Sequence, residues 1–289
     1  MATDKLKIAA LASSFNRLKK TSAFLSSLLS QQVPDNYLLD VYLLDDKSTD
    51  GTADYVRKNF STVTVVYGTG SLFWAGSMRT LWDHAKAAAS YDLFLLLNDD
   101  VELFDDAIVN LIAAYNKRPQ SPAVIIGTVR GFTEDEITYG GRKLTSRTTG
   151  DSKLVTPDKT ELKECELGNA NIMLVDKGTV DKIGVLSAQF THGGADYDYT
   201  MRAVEAGIKV YVAPGFYGYC ENDHGLPWLS SEHSLKERIK YLYSPKGLAY
   251  KEYLFYIRKH FPLMYPIIVF KLWCKTLLPV IFDRYKKNF

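Results

Sequence analysis

Two kinds of segment alternate over the first hundred residues of the chain. Short apolar runs without helical period end in polar clusters, and each is followed by apolar residues recurring at helical spacing. The apolar runs predict strands over Lys7–Ala12, Leu39–Asp45, Val63–Tyr67 and Asp92–Asn98. The segments between them predict helices over Thr21–Ser30, Thr52–Lys58 and Ser77–Ala89. This alternation, with strands apolar on both faces, is typical of an α/β fold with a mostly parallel sheet covered by helices.

The pattern becomes less regular after a further helix predicted at Ala107–Lys117. A strand at Ala123–Val129 precedes a polar, turn-rich stretch, Gly131–Glu164, which predicts a small mixed-sheet elaboration. Regular elements then return, as a strand at Asn171–Val175, helices at Lys177–Ile183 and Tyr197–Ala206, and a strand at Lys209–Val212. The remainder is helical and basic. We therefore expect an α/β domain over residues 1–230 and a helical C-terminal extension over 231–289.

The charge of the 289-residue chain is unevenly distributed. The composition, 46% hydrophobic and 13% aromatic, is that of a globular protein, and the net charge is only +2. Residues 236–289, however, hold twelve Lys and Arg against three Asp and Glu, so this tail carries +9 and the preceding chain −7. Such a tail suits phosphate groups of nucleic acid or anionic lipid. Nucleic acid is disfavoured because the basic residues alternate with aliphatic runs and not with a stacking platform.

The cysteines and the N-terminus bear on the cellular compartment. Cys165, Cys220 and Cys274 are far apart and form no CxxC pair, which supports neither a disulfide framework nor a zinc knuckle. The N-terminal apolar stretch, Ile8 to Ala12, is too short for a signal-peptide core. These features lead us to expect a cytoplasmic protein.

Polar clusters follow three of the predicted strands, at Ser13 to Arg17, at Asp45-Asp46 and at Asn98-Asp99-Asp100. Ligands of such sheets bind outside the carboxyl ends of the strands. Carboxylates there suit Mg²⁺ or Mn²⁺ together with substrate phosphates. Neither GxxxxGK[ST] nor GxGxxG occurs, which disfavours kinases and nicotinamide dehydrogenases. As isolated clusters, the same residues would serve equally well as loop and capping residues.

The order of four motifs resembles the family 2 glycosyltransferases of the GT-A fold. SSFNR, LLDDKSTDGT, LLLNDDVEL and GADYDYTMRAVEAG occur in the family's order, and the resemblance covers roughly residues 7 to 225. The form LNDDVEL, with Asn98 in place of the usual first Asp, is similar to the branch that transfers rhamnose, galactofuranose and related sugars in bacterial polysaccharide assembly.

On the donor side the resemblance implies roles for residues from three strand ends and one helix. Ser13, Asn16 and Arg17 would line the nucleotide pocket, Asp46 would contact the base, Asn98 and Asp99 would lie beside ribose or diphosphate, Arg79 would face the diphosphate, and Trp74 and Gly76 would shape the sugar pocket. A divalent ion, Mn²⁺ or Mg²⁺, would be held by Asp100 and His224. Alternatives remain for Asp46 as a turn cap, Trp74 as a core residue and His224 as a surface residue.

On the acceptor side Asp196 matches the family's catalytic base, which takes the proton of the attacking hydroxyl in an inverting transfer. It would equally serve as a helix N-cap. Gly168, Asn169, His192 and Ala195 would lie beside the acceptor, although Gly168-Asn169 also suits a plain β-turn. Ala195 stands where the family usually has Glu. Asp198 and Arg202, four residues apart on the predicted helix, favour a structural ion pair.

The tail segment Phe261 to Phe282 is apolar, but it contains three prolines and two central lysines, Lys271 and Lys275, which disfavour a spanning helix. A helix lying at an anionic membrane surface fits better. A core-packing helix or a homodimer contact is the alternative.

The sequence thus predicts an inverting, metal-dependent glycosyltransferase that is peripheral on the inner face of the plasma membrane. It would transfer sugar from a nucleoside-diphosphate sugar, UDP- or dTDP-linked, to a glycan or polyprenyl-diphosphate-linked acceptor in O-antigen or capsule biosynthesis, without binding nucleic acid. A sugar nucleotidylyltransferase is the enzymatic alternative, although residues 9–17 lack its Gly-rich signature. An inactive nucleotide-binding scaffold of a glycan assembly complex is the non-enzymatic alternative.

Overall fold

A computed structural model describes residues 5–133, 136–222 and 228–286 of the chain. The helices are α1 Leu18–Leu29, α2 Thr52–Asn59, α3 Phe73–Ala88, α4 Ala107–Asn116, α5 Lys177–Ile183, α6 Ala195–Glu205, α7 Leu235–Tyr243, α8 Tyr250–His260, α9 Tyr265–Leu277 and α10 Pro279–Lys286. A 3₁₀ turn, Pro262–Met264, joins α8 to α9.

Strands form one large sheet and two small ones. They are β1 Leu6–Ser14, β2 Tyr37–Asp45, β3 Val63–Tyr67, β4 Leu93–Asn98, β5 Glu102–Leu103, β6 Ala123–Ile126, β7 Val129–Arg130, β8 Ile137–Tyr139, β9 Gly141–Leu144, β10 Ser152–Leu154, β11 Lys163–Cys165, β12 Leu167–Gly168, β13 Ile172–Asp176, β14 Lys209–Val212 and β15 Gly218–Tyr219. The small sheets have the orders β10-β9-β12 and β5-β15-β7-β8. Strands β8, β9 and β10 lie within the predicted elaboration, whereas the other strands of these sheets lie outside it.

The large sheet has the order β11-β14-β6-β13-β4-β1-β2-β3. Strands β4, β1, β2 and β3 run parallel, and so do β6 and β14. Their side chains pack against helices on both faces, in two clusters that bury β4, β6 and the part of β1 from Ile8 onward. This confirms the predicted α/β fold. Strands β13 and β11 run antiparallel to their neighbours, which fits a mostly parallel sheet. The sequence did not show that β13 is reversed, because a run buried on both faces looks the same in either direction.

Two element boundaries differ from the sequence pattern for identifiable reasons. Helix α3 begins at Phe73, four residues early, because the carboxylate of Asp46, 27 positions away, accepts the N–H groups of Leu72 and Phe73. The expected strand over 123–129 is broken at Gly127, where a Cβ would lie 2.8 Å from Ile172, and the chain passes from the large sheet into a small one.

The C-terminal extension is helical, as expected, and α8 contributes to the core of the α/β domain. Tyr256, Ile257 and Phe261 belong to the same buried cluster as β1 and α6. A separate small cluster, around Leu242, Leu254 and Leu272, joins α7, α8 and α9. The proposed division at residue 230 stays a prediction.

Helix α9 and its flanks expose one apolar stripe, hereafter the apolar stripe. Its members recur at intervals of three, four or seven and are 45–73% exposed: Leu263, Ile267, Phe270, Leu277 and Ile281. Lys271 lies exposed beside the stripe, whereas Lys275 is half-buried, 5.5 Å from the ring centroid of Trp228. None of the helices described in residues 5–133, 136–222 and 228–286 is both long and apolar enough to cross a membrane.

Candidate active site

The predicted site residues meet at one edge of the large sheet. Strands β1, β2 and β4 end there, at Ser14, Asp45 and Asn98. The antiparallel strand β13 starts at this edge, where the N–H of Asn98 donates to the carbonyl of Asn171 at 3.3 Å. The segment before β13 therefore lies beside the polar clusters that follow the parallel strands. Because β13 runs antiparallel to β4, the predicted acceptor side lies next to the predicted donor side.

Arg17 joins the two aspartates that follow β4. Its guanidinium lies 3.2 Å from Asp99 and 2.8 Å from Asp100, and Lys20 is 3.9 Å from Asp100. Asp99 is buried and also accepts the hydroxyl of Thr21 at 3.1 Å. Burial raises the pKa of Asp99 to about 6, although Arg17 opposes the shift. The structure thus groups three predicted donor-side residues into one cluster of mixed charge.

The two aspartates fit a hard divalent ion that takes its other ligands from substrate. Mg²⁺ is typically bound by one or two carboxylates together with substrate phosphates and water. Asp100 is the more open of the pair, with 12% of its side chain exposed against 6% for Asp99. Within the part of the chain that the structure describes, no three His, Cys, Asp or Glu side chains gather as a metal site. His224 lies outside the described residues.

Asp46 organises the loop between β3 and α3. Its carboxylate is buried and accepts the N–H groups of Gly70 at 2.7 Å, Leu72 at 3.0 Å and Phe73 at 3.2 Å. The loop passes close at Gly68, where a Cβ would lie 2.4 Å from the Asp46 carboxylate. Base contact by Asp46 stays a prediction. The turn cap that the sequence offered as its alternative role belongs to its neighbour Asp45, which accepts the N–H of Ser48 at 2.9 Å.

Asn16 ties the loop after β1 to the loop after β2. Its side-chain oxygen accepts the N–H of Thr49 at 2.7 Å, and its own N–H donates to the hydroxyl of Ser48 at 2.9 Å. Its φ of +53° lies in the left-handed region, which asparagine tolerates. The neighbouring Ser13 is the penultimate residue of β1, paired with Leu44 and Asn98. Both residues lie at the predicted edge of the sheet, and the hydrogen bonds of Asn16 also fix the two loops there relative to each other.

Three of the predicted donor-side residues, Trp74, Gly76 and Arg79, lie on the first turns of α3. Arg79 donates to two carbonyls of the loop before α6, Ser187 at 2.9 Å and Phe190 at 2.8 Å. Gly76 is buried, and Trp74 is half-buried against the core. In this structure Arg79 therefore holds the acceptor-side loop, and its predicted contact with a diphosphate stays a prediction.

Asp196 is the second residue of α6 and is half-buried at the site. One oxygen accepts the N–H of Tyr197 at 2.9 Å, while the other lies 3.4 Å from both the Asn169 amide and the Ala170 N–H. Burial raises the pKa of Asp196, although these N–H groups oppose the shift. Gly194, at φ +82°, is the N-cap, so Asp196 does not fill that alternative role. A weakly bound oxygen with raised basicity suits a proton acceptor.

The other predicted acceptor-side residues lie on α6 or on the segments that lead to α6 and β13. Gly168 donates to the hydroxyl of Thr200 on α6 at 3.1 Å, and a Cβ there would lie 2.4 Å from Ile126. His192 is half-buried beside the ring of Phe73. Ala195 is fully buried, so its side chain belongs to the core.

Helix α8 of the extension binds the helix that carries Asp196, a contact that sequence reasoning missed. The fully buried Asp198 pairs with Arg202 at 2.9 Å, as predicted, and also with Lys259 at 2.8 Å and His260 at 3.0 Å. The other ring nitrogen of His260 lies 2.6 Å from Glu205, so the ring bridges two carboxylates of α6. Although burial opposes it, hydrogen bonds from His260 and Lys259 lower the pKa of Asp198 to about 2.

A second contact from α8 holds the loop before α6. Glu252 accepts the hydroxyl of Thr191 at 2.5 Å and its N–H at 3.0 Å. The carbonyl of Thr191 in turn accepts the N–H of Ala75 on α3. The segment leading to Asp196 is therefore fixed from α3 on one side and from the extension on the other.

Comparison with known proteins bears on the four motifs. A sequence profile for the family described as glycosyl transferase family 2 matches residues 11–174, more than half of the chain. The chain belongs to glycosyl transferase family 2. The matched range ends within β13 and contains the Asp99–Asp100 cluster, whereas Asp196 and the extension follow it. No curated protein sequence matches the chain significantly.

Solved structures show that this family 2 chain has the GT-A fold. TarS 1–349 of S. aureus, in complex with UDP-GlcNAc, matches at a TM-score of 0.56 and 16% identity over 76% of this chain and 60% of that one. The mannosyltransferase PcManGT from Pyrobaculum calidifontis, in complex with GDP-Man and Mn²⁺, matches at 0.54 and 17% over 96% and 71%. In another solved structure of S. aureus TarS, the match covers only 36% of the TarS chain.

Proposed function

We propose that this family 2 protein is an inverting glycosyltransferase that uses a nucleoside-diphosphate sugar. The observation that carries the proposal is the half-buried carboxylate of Asp196, with its raised pKa, at the same sheet edge as the Arg17–Asp99–Asp100 cluster. One group suits proton removal from an acceptor hydroxyl, and the other suits a diphosphate. Bound UDP-GlcNAc and GDP-Man in the structural neighbours support a nucleotide sugar as the donor.

In the proposed reaction the acceptor oxygen attacks the anomeric carbon on the face opposite the nucleoside diphosphate. The new C–O bond forms as the bond to the diphosphate oxygen breaks, and Asp196 takes the hydroxyl proton. Asn169 and the Ala170 N–H orient the Asp196 oxygen. Asp100 and Asp99 would hold a Mn²⁺ or Mg²⁺ ion, which would supply positive charge to the leaving diphosphate. Arg17 and Lys20 add fixed positive charge beside it.

Donor binding is tested by thermal shift with nucleoside diphosphates and nucleotide sugars, with and without Mn²⁺. A ligand that binds only the folded state stabilises it by about 2.7 kcal/mol at one hundred times its Kd. We expect UDP or dTDP, or one of their sugars, to raise the melting temperature only when metal is present. Asp100→Asn should remove the metal-dependent rise in melting temperature. Asp105→Asn, at an exposed neighbouring position, should preserve that rise. No shift with any nucleotide, with or without Mn²⁺, would contradict the donor site and favour the scaffold alternative.

We further propose that the acceptor is a glycan or polyprenyl-diphosphate-linked glycan of a bacterial surface polysaccharide, O-antigen or capsule. The enzyme would then work at the inner face of the plasma membrane. The support is the apolar stripe with the exposed Lys271 beside it, on an extension of net charge +9. Apolar side chains flanked by basic ones are typical of helices that lie in an anionic membrane interface.

Vesicle sedimentation tests this membrane surface. Phe270→Asp, at a position 69% exposed, should weaken binding to phosphatidylglycerol-containing vesicles about tenfold or more, because burying a Phe side chain contributes about 1.5–3 kcal/mol. Leu29→Asp, an exposed apolar position on α1, is the matched control and should bind like the wild type. If Phe270→Asp instead converts a dimer to a monomer and leaves vesicle binding unchanged, the stripe is a homodimer contact.

A further inference from the structure

A cavity of about 170 Å³ lies between the acceptor-side loop and the C-terminal extension, hereafter the base-side cavity. One wall is the loop and first turn of α6, with Phe190, Gly193 and Tyr197. The other wall is the link between α7 and α8, residues 244–249, together with Tyr253 and Tyr256 on one face of α8. The proposed reaction as written above uses none of these side chains.

The position of the base-side cavity ties it to the acceptor. Tyr197, which lines it, directly follows Asp196, and Gly194, which also lines it, is the N-cap of the same helix. The donor cluster lies on other elements, the loops after β1 and β4. A molecule that presents a hydroxyl to Asp196 therefore has the base-side cavity as neighbouring space for the rest of its structure.

The lining of the cavity selects hydrocarbon over sugar. Its surface is mostly carbon, from aromatic rings, Leu248 and glycine backbone, although the lining includes three tyrosines, Tyr197, Tyr253 and Tyr256. A sugar ring enclosed there has few polar groups to pair with, and each hydroxyl left without a partner costs about 1–3 kcal/mol. A hydrocarbon chain in the same space gains about 0.8 kcal/mol for each buried CH₂ group. The occupant that these walls stabilise is an aliphatic chain.

A cation stands beside this apolar space. Lys246 is exposed and lies between two lining residues of the link, Pro245 and Gly247, with its ammonium group 5.7 Å from the ring centroid of Phe15 in the donor-side loop. The link that carries it has a defined conformation, because a Cβ on Gly247 would lie 2.1 Å from the Tyr241 carbonyl. The charge of Lys246 is therefore placed between the donor-side loop and the cavity.

We propose that the base-side cavity is an acceptor subsite for the lipid part of a lipid-phosphate-linked sugar. The aliphatic chain lies against Phe190, Tyr197 and Tyr253, the phosphate pairs with Lys246, and a hydroxyl of the attached sugar reaches Asp196. The inference rests on the proposed transferase function and narrows its acceptor to a lipid phosphate. The apolar stripe follows α8 along the same extension. In this proposal the stripe rests on the lipid surface from which the acceptor enters the base-side cavity.

Binding of farnesyl phosphate, measured by isothermal titration calorimetry, tests the subsite without any transfer reaction. Gly193→Phe fills the cavity, and a Cβ at Gly193 meets no atom within 4 Å, so the fold accommodates it. We expect this variant to bind farnesyl phosphate at least tenfold more weakly than the wild type. Ser90→Phe, which fills a second cavity of about 140 Å³ before β4 at the opposite edge of the sheet, is the matched control and should bind normally.

Lys246→Gln separates the two parts of the ligand. We expect it to weaken farnesyl phosphate severalfold and to leave the affinity for farnesol, which lacks the phosphate, unchanged. Inorganic phosphate alone should not compete with farnesol. Equal binding of farnesyl phosphate by the wild type and Gly193→Phe, or no binding by the wild type, would overturn the subsite. The nucleotide-dependent thermal shift of the same proteins tests the transferase function separately, because the donor cluster lies on other loops.

Discussion

Replacing Asp196 with asparagine should abolish sugar transfer and preserve donor binding. Asparagine keeps the size of the side chain and its contacts near Asn169 and Ala170, but it cannot accept the proton of the attacking hydroxyl. General base catalysis typically contributes a factor of about 10²–10⁴, so kcat should fall by that amount. Release of nucleoside diphosphate in the presence of acceptor measures turnover, and the nucleotide-dependent thermal shift measures donor binding.

Asp54→Asn, at an exposed carboxylate on α2, is the matched control and should retain wild-type turnover. The acid side of the pH profile gives a second readout. Because burial raises the pKa of Asp196, its active, ionised form is lost at a higher pH than for an ordinary carboxylate, and kcat/KM should fall there as the pH decreases. Full turnover by Asp196→Asn would show that another group takes the proton.

Replacing Asp198 with alanine should destabilise the protein by about 3–5 kcal/mol. The change leaves the buried ring of His260 and the partly buried cations of Arg202 and Lys259 without their shared carboxylate, and breaking a buried pair in this way is costly. Chemical denaturation measures the free energy of unfolding. Asp181→Ala removes an exposed i,i+4 partner of Lys177 and is the control, for which we expect less than about 1 kcal/mol.

The stabilisation by Asp198 should depend on pH in a defined direction. Its pKa is lowered to about 2 in the folded protein, against 3.8 for an ordinary Asp, so the folded state favours the charged form. The contribution is fully present above about pH 4 and is lost as the pH falls towards 2. The difference in unfolding free energy between wild type and Asp198→Ala should narrow over this interval. A difference that stays constant across it would contradict the ion cluster.

The sequence was sufficient for features that depend on neighbouring residues. Hydrophobic period located the strands of the large sheet except β11, and the i,i+4 spacing of Asp198 and Arg202 predicted their ion pair. It was insufficient where a partner lies far along the chain. Nothing near Phe73 signals that Asp46 starts α3 there, and nothing near Thr191 signals that Glu252, 61 positions later, holds its loop.

The direction of β13 was also beyond the sequence pattern, although much of the site depends on it. A strand buried on both faces has the same composition in either direction, so its apolar run contains no sign of which end meets Asn98. Local motifs therefore named candidate site residues, whereas the approach of Asn169 to Asp196, and of Gly168 to Thr200 on the same helix, required the three-dimensional structure.

The ion cluster between α6 and α8 limits how this enzyme can be recombined with its relatives. A chimera that takes its C-terminal helices from another chain keeps Asp198 and Glu205 but loses Lys259 and His260, and two carboxylates are then left facing a foreign surface. Asp198, Glu205, Lys259 and His260 must therefore be exchanged together in a chimera, although 61 positions separate Asp198 from Lys259. If the base-side cavity binds the acceptor as proposed, acceptor preference is exchanged only together with the carboxylates that anchor the donated helix.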